Sequence, residues 1–469
     1  MTFIFYDTET TGISPAFDQI LQFAAIVTDD DLNEVNRFEI RSRLLPYIVP
    51  SPHALRVTGQ TIDDLLDETR PSHYEMVSEI RRTLGEACPA NFIGYNSLKF
   101  DEELLRQAFY GCLYPPYMTN TGGSRRADAL HLIRAAAILH PDAVAPAYND
   151  SGRPSFKLDR LAPANGFAHA NAHDALADVE ALIHLCRIVR DRCPALWARF
   201  QQFASKAAVE AFLRREEAFL LLEFHPTSTG RYFVTPIGTN NANIAYCYDL
   251  SIDPDDLRAL TDTELATRLG RSPRPLRKVK TNAAPCLCPL GDAPFEMLGG
   301  VSPAEFVRRA QALRSDRAFV DRLVIAANAT EAEHSSSPYV ERQIYDGFWS
   351  NDDAVRLESF HESSWERRVD IANDFEDPRL VWLARRLIFV ERPYLLAPEH
   401  CAAMAAEKAR RMLAGPTECG GWTTLERAAE DLKAMLTTSN VDGESSFVRL
   451  GAFLKARRLE CIGLSPKRA

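Results

Sequence analysis

The chain has 469 residues, 46% of them hydrophobic and 25% charged, with 54 Lys+Arg against 64 Asp+Glu for a formal charge of −10. That composition excludes a disordered, collagen-like or low-complexity chain, and the length is a prior of roughly three domains. No apolar run reaches the roughly 18 residues of a membrane span, Met1 to Gly12 lack a signal-peptide pattern, and ten scattered cysteines read as reduced thiols, so a cytoplasmic protein without membrane attachment is expected.

Thr2–Tyr6, Leu21–Val27 and Asn91–Tyr95 are β-rich runs. The third leads into a helical pattern with Leu104, Leu105, Ala108 and Phe109 on one face. Ala175–Arg190 is a further helix, with Leu176, Val179, Ile183 and Cys186 on its apolar stripe. This alternation predicts an α/β domain with a mixed sheet over residues 1–200. Farther on, Arg231–Ile237 and Asn243–Leu250 read as paired strands around the turn-rich Gly238-Thr239-Asn240-Asn241. Asp255–Leu269 reads as helix and Val279–Leu290 as extended chain, so a small barrel or sheet with inserted helices is expected there. The last part is helical: Arg379–Phe389, Glu399–Leu413, Thr424–Leu436 and Ser446–Arg458.

Three short segments carry carboxylates. Asp7-Thr8-Glu9-Thr10-Thr11-Gly12 follows a strand, in which residues i and i+2 share a face. Asp7 and Glu9 therefore project together, and two like charges that close call for a hard divalent cation between them. Asn96-Ser97-Leu98-Lys99-Phe100-Asp101 joins a strand to a helix, with Asp101 in the first turn, where the macrodipole favours an anion. Glu102 and Glu103 beside it read as ordinary helix-start residues. In His173-Asp174-Ala175-Leu176-Ala177-Asp178, Asn171 is the expected cap, and His173 and Asp178 flank the helix start. Each segment alone also fits ordinary element-end chemistry.

Cations concentrate where acid is absent. No Asp or Glu occurs from Ala266 to Gly291, a stretch holding Arg268, Arg271, Arg274, Arg277, Lys278 and Lys280, and with Pro273 and Pro275 it reads as an extended basic loop. Arg125, Arg126, Arg153 and Lys157 are further cationic candidates near the carboxylates. A cationic path with aromatic side chains is what single-stranded nucleic acid requires. Tyr345, Phe348 and Trp349 are either stacking residues or core.

Taken in order, D-x-E, a helix-opening aspartate near 100 and H-x4-D near 175 resemble the DEDDh 3′→5′ exonucleases of the ribonuclease-H-like superfamily. Gly94-Tyr95-Asn96, Phe100-Asp101-Glu102-Glu103, Pro154-Ser155-Phe156-Lys157-Leu158, Ala164-Asn165-Gly166, Asn171-Ala172-His173-Asp174-Ala175 and Ile344-Tyr345-Asp346-Gly347-Phe348-Trp349-Ser350 narrow the resemblance to the bacterial exonuclease I family. The resemblance implies three parts: a nuclease domain at 1–200, an SH3-like β domain at 201–352 and an α-helical C-terminal domain at 353–469. It implies a monomeric enzyme of DNA repair that degrades single-stranded DNA to 5′-mononucleotides by two-metal-ion hydrolysis. Asp7, Glu9 and Asp178 would hold one Mg²⁺, and Asp7 with Asp101 would reach the second. His173 would be the general base, and Mn²⁺ would substitute on the same ligand logic. DNA contacts would come from Arg125, Arg126, Arg153, Lys157, Arg271, Arg274, Arg277, Lys278 and Lys280. The acidic C-terminal tail of single-stranded-DNA-binding protein is the implied protein partner.

Two departures keep alternatives open. The first motif is as similar to proofreading exonucleases, so a DEDDh enzyme for RNA ends or proofreading stands beside the leading reading. The segment Leu220–Gly230, with His225-Pro226-Thr227-Ser228-Thr229, departs from the family pattern. A non-catalytic strand-binding protein on a decayed nuclease fold is the third reading. The net charge does not exclude DNA. Residues 1–200 hold 26 acidic against 19 basic residues, where the metal-site carboxylates cluster, while the acid-free stretch lies elsewhere.

Overall fold

Five strands build the first sheet in the order β3-β2-β1-β4-β5: β1 (Thr2–Thr10), β2 (Ile20–Thr28), β3 (Glu34–Arg41), β4 (Ala90–Gly94) and β5 (Arg125–Asp128). β1 pairs antiparallel with β2 and parallel with β4, so the expected mixed sheet is present. The computed structural model describes residues 2–168, 173–226, 228–240, 243–329, 335–415, 417–438 and 445–464. Asn171, Thr227 and Asn241, singled out above, lie outside the described residues.

The strand period decides which side chain meets which helix. Ile4 and Tyr6 of β1 pack on one face of the sheet with α1 (His73–Ala87) and α2 (Asp101–Gly111). Phe3 and Phe5 pack on the other with α3 (Ala129–Leu139) and α4 (Ala175–Arg192). Each fully buried ring contributes about 2–3 kcal/mol of transfer free energy. β2 and β4 are buried almost throughout, as strands covered on both faces are. α1 starts on a capping box, Ser72 with Glu75.

A second five-stranded sheet follows, ordered β9-β8-β7-β6-β10: β6 (Phe219–Phe224), β7 (Thr229–Thr239), β8 (Ile244–Asp249), β9 (Leu276–Lys280) and β10 (Cys286–Pro289). The expected strand pair is β7–β8. The expected single helix over 255–269 is two, Asp255–Arg258 and Asp262–Leu269, because Thr261 and Glu264 form a capping box that starts the second afresh. The basic stretch is not one loop. Arg268 ends the second of these helices, and Arg277, Lys278 and Lys280 lie on the edge strand β9.

The remainder is helical, with long helices at Pro378–Glu391, Pro398–Leu413, Leu425–Thr438 and Ser445–Leu464. These helices share cores with the first sheet. Leu380, Leu383 and Ile388 pack in one cluster with Ile4, Tyr6 and Phe92. Leu21, Val49 and Leu65 pack in another with Met412, Leu450 and Leu454. A buried carboxylate, Glu341, accepts from Arg386 at 2.5 Å and Arg411 at 2.6 Å within this region. All ten cysteines are free thiols, and among the described residues no helix is long and apolar enough to cross a membrane.

Candidate active site

β1 outruns its parallel neighbour. Its pairing with β4 ends at Phe5↔Ile93, so Asp7 and Glu9 extend beyond it. Gly94 lets the chain turn away there, since a Cβ on it would lie 2.4 Å from the Ser97 Cβ and 3.2 Å from the Tyr6 carbonyl. By the two-residue period, Asp7 and Glu9 belong to the face of Phe3 and Phe5, which is the α4 side. Thr8 belongs to the opposite face, and its hydroxyl donates to Asp101 Oδ1 at 2.5 Å. Asp101 thus reaches the same strand end from the other side of the sheet.

α4 supplies the rest. Asp174, not Asn171, is its observed cap, accepting from the Ala177 N–H at 3.4 Å. His173 precedes it in left-handed backbone at φ 68° and is exposed, and Asp178 lies in the first turn. Donor atoms of Glu9, His173 and Asp178 all lie within 4.8 Å of one another. The five carboxylate and imidazole residues expected from the sequence therefore meet at one strand end.

The electrostatics fit a cation. Burial pushes the Asp7 carboxyl well above the usual carboxylate range, and Asp101, Asp178, Glu9 and Asp174 push it further. Glu9 is raised to about 8 by burial, then by Asp178, Asp101 and Asp174, with Arg41 opposing. Asp101 is raised to about 7, chiefly by burial, against the Thr8 hydrogen bond. Carboxylates held this way against their own repulsion are stabilised by a hard divalent ion with oxygen ligands. The donor set, carboxylates with one imidazole, fits Mg²⁺ or Mn²⁺.

Supporting residues escaped the sequence reading. Asp128 caps α3, accepting from Leu130 N at 3.0 Å, and also accepts from the backbone N–H groups of Asn96 at 2.8 Å and Leu98 at 3.4 Å, which fixes the turn before Asp101. Glu102, expected at a solvated helix start, is fully buried. It accepts from Tyr6 (3.1 Å), Arg106 (2.9 Å), Thr119 (2.6 Å) and Arg126 (3.0 Å). Such a hub locks α2 against β1 and β5. A capping aspartate can be read from sequence by its place before a helix; the burial of Glu102 cannot, because only Arg106 among its partners is a helical neighbour.

The cationic candidates divide. Arg126 is engaged by Glu102, and Arg277 stacks on the Tyr232 ring at 3.4 Å beside Glu223 and Asp249. Arg268 donates to the carbonyls of Arg271 and Pro273 and so shapes its own loop. Arg271, Arg274, Lys278 and Lys280 are exposed on and beside β9. Arg153 and Lys157 are exposed on the segment whose Phe156 carbonyl accepts from Tyr95 at 2.6 Å, and Arg125 is half-buried on β5. Phe348 is 88% exposed, Trp349 stacks on Tyr110, and Tyr345 bonds to Glu103 and Arg106. The departing 220–230 segment is clasped by Arg134 of α3, which donates to the carbonyls of His225 and Ser228 at 2.8 and 2.7 Å.

Comparison with known proteins places the chain in a family. The RNase_T family of exonucleases matches residues 4–186. Exodeoxyribonuclease I of Haemophilus influenzae is 30% identical over 405 residues, spanning 81% of this chain and 84% of that protein. A moderately thermophilic exonuclease I from Methylocaldum szegediense has a similar structure, with TM-score 0.84 and 26% identity over 98% of this chain and 99% of that one. The zinc-bound E. coli exonuclease I complex with single-stranded DNA is similar over the same shares, with TM-score 0.82 and 26% identity. With 30% identity to one such enzyme over 81% of the chain, and a similar structure over 98% of it, the chain belongs to the exodeoxyribonuclease I family and is an exonuclease.

Proposed function

We propose that this exonuclease removes nucleotides singly from the 3′ end of single-stranded DNA, releasing 5′-mononucleotides, with two Mg²⁺ ions as cofactor. The convergence of Glu9, His173 and Asp178 within 4.8 Å carries the reading. Asp7, Glu9 and Asp178 would hold the first ion, and Asp7 with Asp101 would serve the second. When bound, the ions supply charge stabilisation to the attacking and leaving oxygens of the phosphodiester. His173 takes the proton of the attacking water on an imidazole nitrogen, a role suited to a side chain at the exposed rim. Thr8 holds Asp101 toward the strand end, and the Glu102 hub keeps α2 from shifting during turnover.

The incoming strand follows the cations that the fold leaves exposed: Arg271, Arg274, Lys278 and Lys280 on the second sheet, then Arg153, Lys157 and Arg125 near the site. Arg126 and Arg277 shape this path from within. Residues 1–200, 201–352 and 353–469 are the working division, with the second sheet as the SH3-like part. A monomer in the cytoplasm fits the ten free thiols. The acidic tail of single-stranded-DNA-binding protein is the proposed partner. The groove between the helices Leu425–Thr438 and Ser445–Leu464 has suitable chemistry, an apolar floor of Leu432, Leu436 and Leu454 rimmed by Lys433, Lys455 and Arg458.

Digestion of 3′- and 5′-labelled DNA, with an RNA of equal length alongside and with Mg²⁺ or EDTA, tests the reading. The expected result is Mg²⁺-dependent release of labelled mononucleotide from the 3′-labelled DNA first. Release from the 5′ end first, preference for RNA, or binding without hydrolysis overturns it.

A further inference from the structure

Glu9, Gln22 and Arg41 lie side by side across β1, β2 and β3, since Glu9 is paired with Gln22 and Gln22 with Arg41. Asp174 sits over this row. Its Oδ2 accepts from Gln22 Nε2 at 3.1 Å and from Arg41 Nη2 at 2.8 Å. Both donors are themselves fixed by Glu39 Oε1, each at 3.0 Å. The other Asp174 oxygen starts α4 through the Ala177 N–H. One carboxylate therefore joins the helix to the strands at the register of Glu9. The residue before it is His173, and four residues after it comes Asp178, the two whose donor atoms meet those of Glu9.

A cap alone starts a helix but leaves its rotation and slide against the sheet unspecified. His173 also adopts left-handed backbone, which a residue with a Cβ holds only when its neighbours enforce it. We propose that Asp174 is a positioning residue that, through Gln22 and Arg41, holds His173 and Asp178 in register with Glu9. Arg41 adds a charge that opposes the repulsion at Glu9. Asp174 is not among the three residues whose donor atoms meet within 4.8 Å. The inference rests on Glu9, His173 and Asp178 being the cation site.

The test uses the full-length chain, stripped with EDTA. Asp174→Asn keeps a capping oxygen but turns an NH₂ toward two donors. Arg41→Ala removes one donor, and Arg41→Lys restores a single charged one. Three quantities are measured: Mn²⁺ affinity by electron paramagnetic resonance titration, kcat and KM on labelled DNA, and melting temperature. Asp174→Asn is expected to weaken Mn²⁺ binding and lower kcat by about tenfold each, the scale of losing a residue that orients ligands, with KM and melting temperature near wild type. Arg41→Ala shifts both the same way by less, and Arg41→Lys recovers most of that loss. Wild-type Mn²⁺ affinity and kcat in Asp174→Asn overturn the proposal, as does a loss that only follows a lowered melting temperature. Asp7→Ala separates the two readings: if it binds Mn²⁺ and hydrolyses DNA normally, the cation site itself is wrong, whereas an inactive Asp7→Ala beside a normal Asp174→Asn refutes only the positioning role.

Discussion

In the cation-free protein the site carboxyls hold protons that a bound ion must expel, and this ties stability to pH in an unusual direction. Glu9 is raised from 4.5 to about 8 in the folded state. Between those values the folded chain binds more protons than the unfolded chain. Linkage then requires stability to fall as pH rises from about 4.5 to about 8. Moving one carboxyl that far corresponds to about 5 kcal/mol. Asp101, raised from 3.8 to about 7, does not add its full share, because the carboxyls raise one another. About 5 kcal/mol is therefore the scale set by Glu9 alone, and the coupled site is not the sum of single shifts. Mg²⁺ binds the folded, ionised form, so its stabilisation grows across the same window. Urea unfolding in EDTA and in Mg²⁺, between about pH 5 and pH 8, measures both effects. Calorimetric Mg²⁺ titration in buffers of different ionisation enthalpy counts the protons released. An EDTA stability that stays flat or rises across the window, or Mg²⁺ stabilisation equal at both ends, refutes the account.

His173→Ala should lower kcat by about 10²–10⁴ with Mn²⁺ affinity less affected than in Asp7→Ala, and raising the pH should restore part of the rate; a pH–rate profile identical to wild type removes His173 as base. Replacing Arg271, Arg274, Lys278 and Lys280 together by Ala should weaken single-strand binding and flatten the slope of log affinity against log salt by about 0.7 per lost contact, and an unchanged slope sinks this path. Arg277→Ala, stacked on Tyr232, should lower thermal stability more than it changes the salt slope. Glu102→Ala leaves the nearly buried Arg126 without its carboxylate and Arg106 with only Glu103, and should cost about 3–5 kcal/mol in chemical denaturation; a loss under about 1 kcal/mol means that water replaces the hub.

The legible parts of this fold are those with strong periodicity and element-end chemistry. β1, β2, β4, α2 and α4 were readable because their apolar residues recur at the right spacing, and the site followed from carboxylates at their ends. β3 was not, because Glu34–Arg41 is an edge strand with exposed charged positions and little apolar alternation. The break at Thr261 inside an apparently continuous helix is a capping box, a local signal that periodicity overrode. The extended reading of 279–290 covers two strands, β9 and β10, at opposite edges of one sheet. Asn171 was the expected α4 cap by residue type, and Asp174 holds that place instead. Only the distance to Gln22 and Arg41, some 130 to 150 positions away in sequence, distinguishes Asp174. The ion pairs of Arg126 and Arg277 were hidden for the same reason: their acidic partners are remote in sequence and visible only once folded.

The cores shared between the first sheet and the last helices set the order in which this enzyme can come into being. Ile4, Tyr6 and Leu21 are made long before Leu383, Met412 and Leu454, with which they share cores. Most chains fold their N-terminal unit while synthesis continues. Here α1 and α2 cover part of one face of the sheet, and the C-terminal helices complete that cover. A chain without those helices carries every site residue, but its Ile4, Tyr6 and Phe92 cluster lacks Leu380, Leu383 and Ile388. Removing the C-terminal helices therefore exposes apolar surface on the first sheet and on α2.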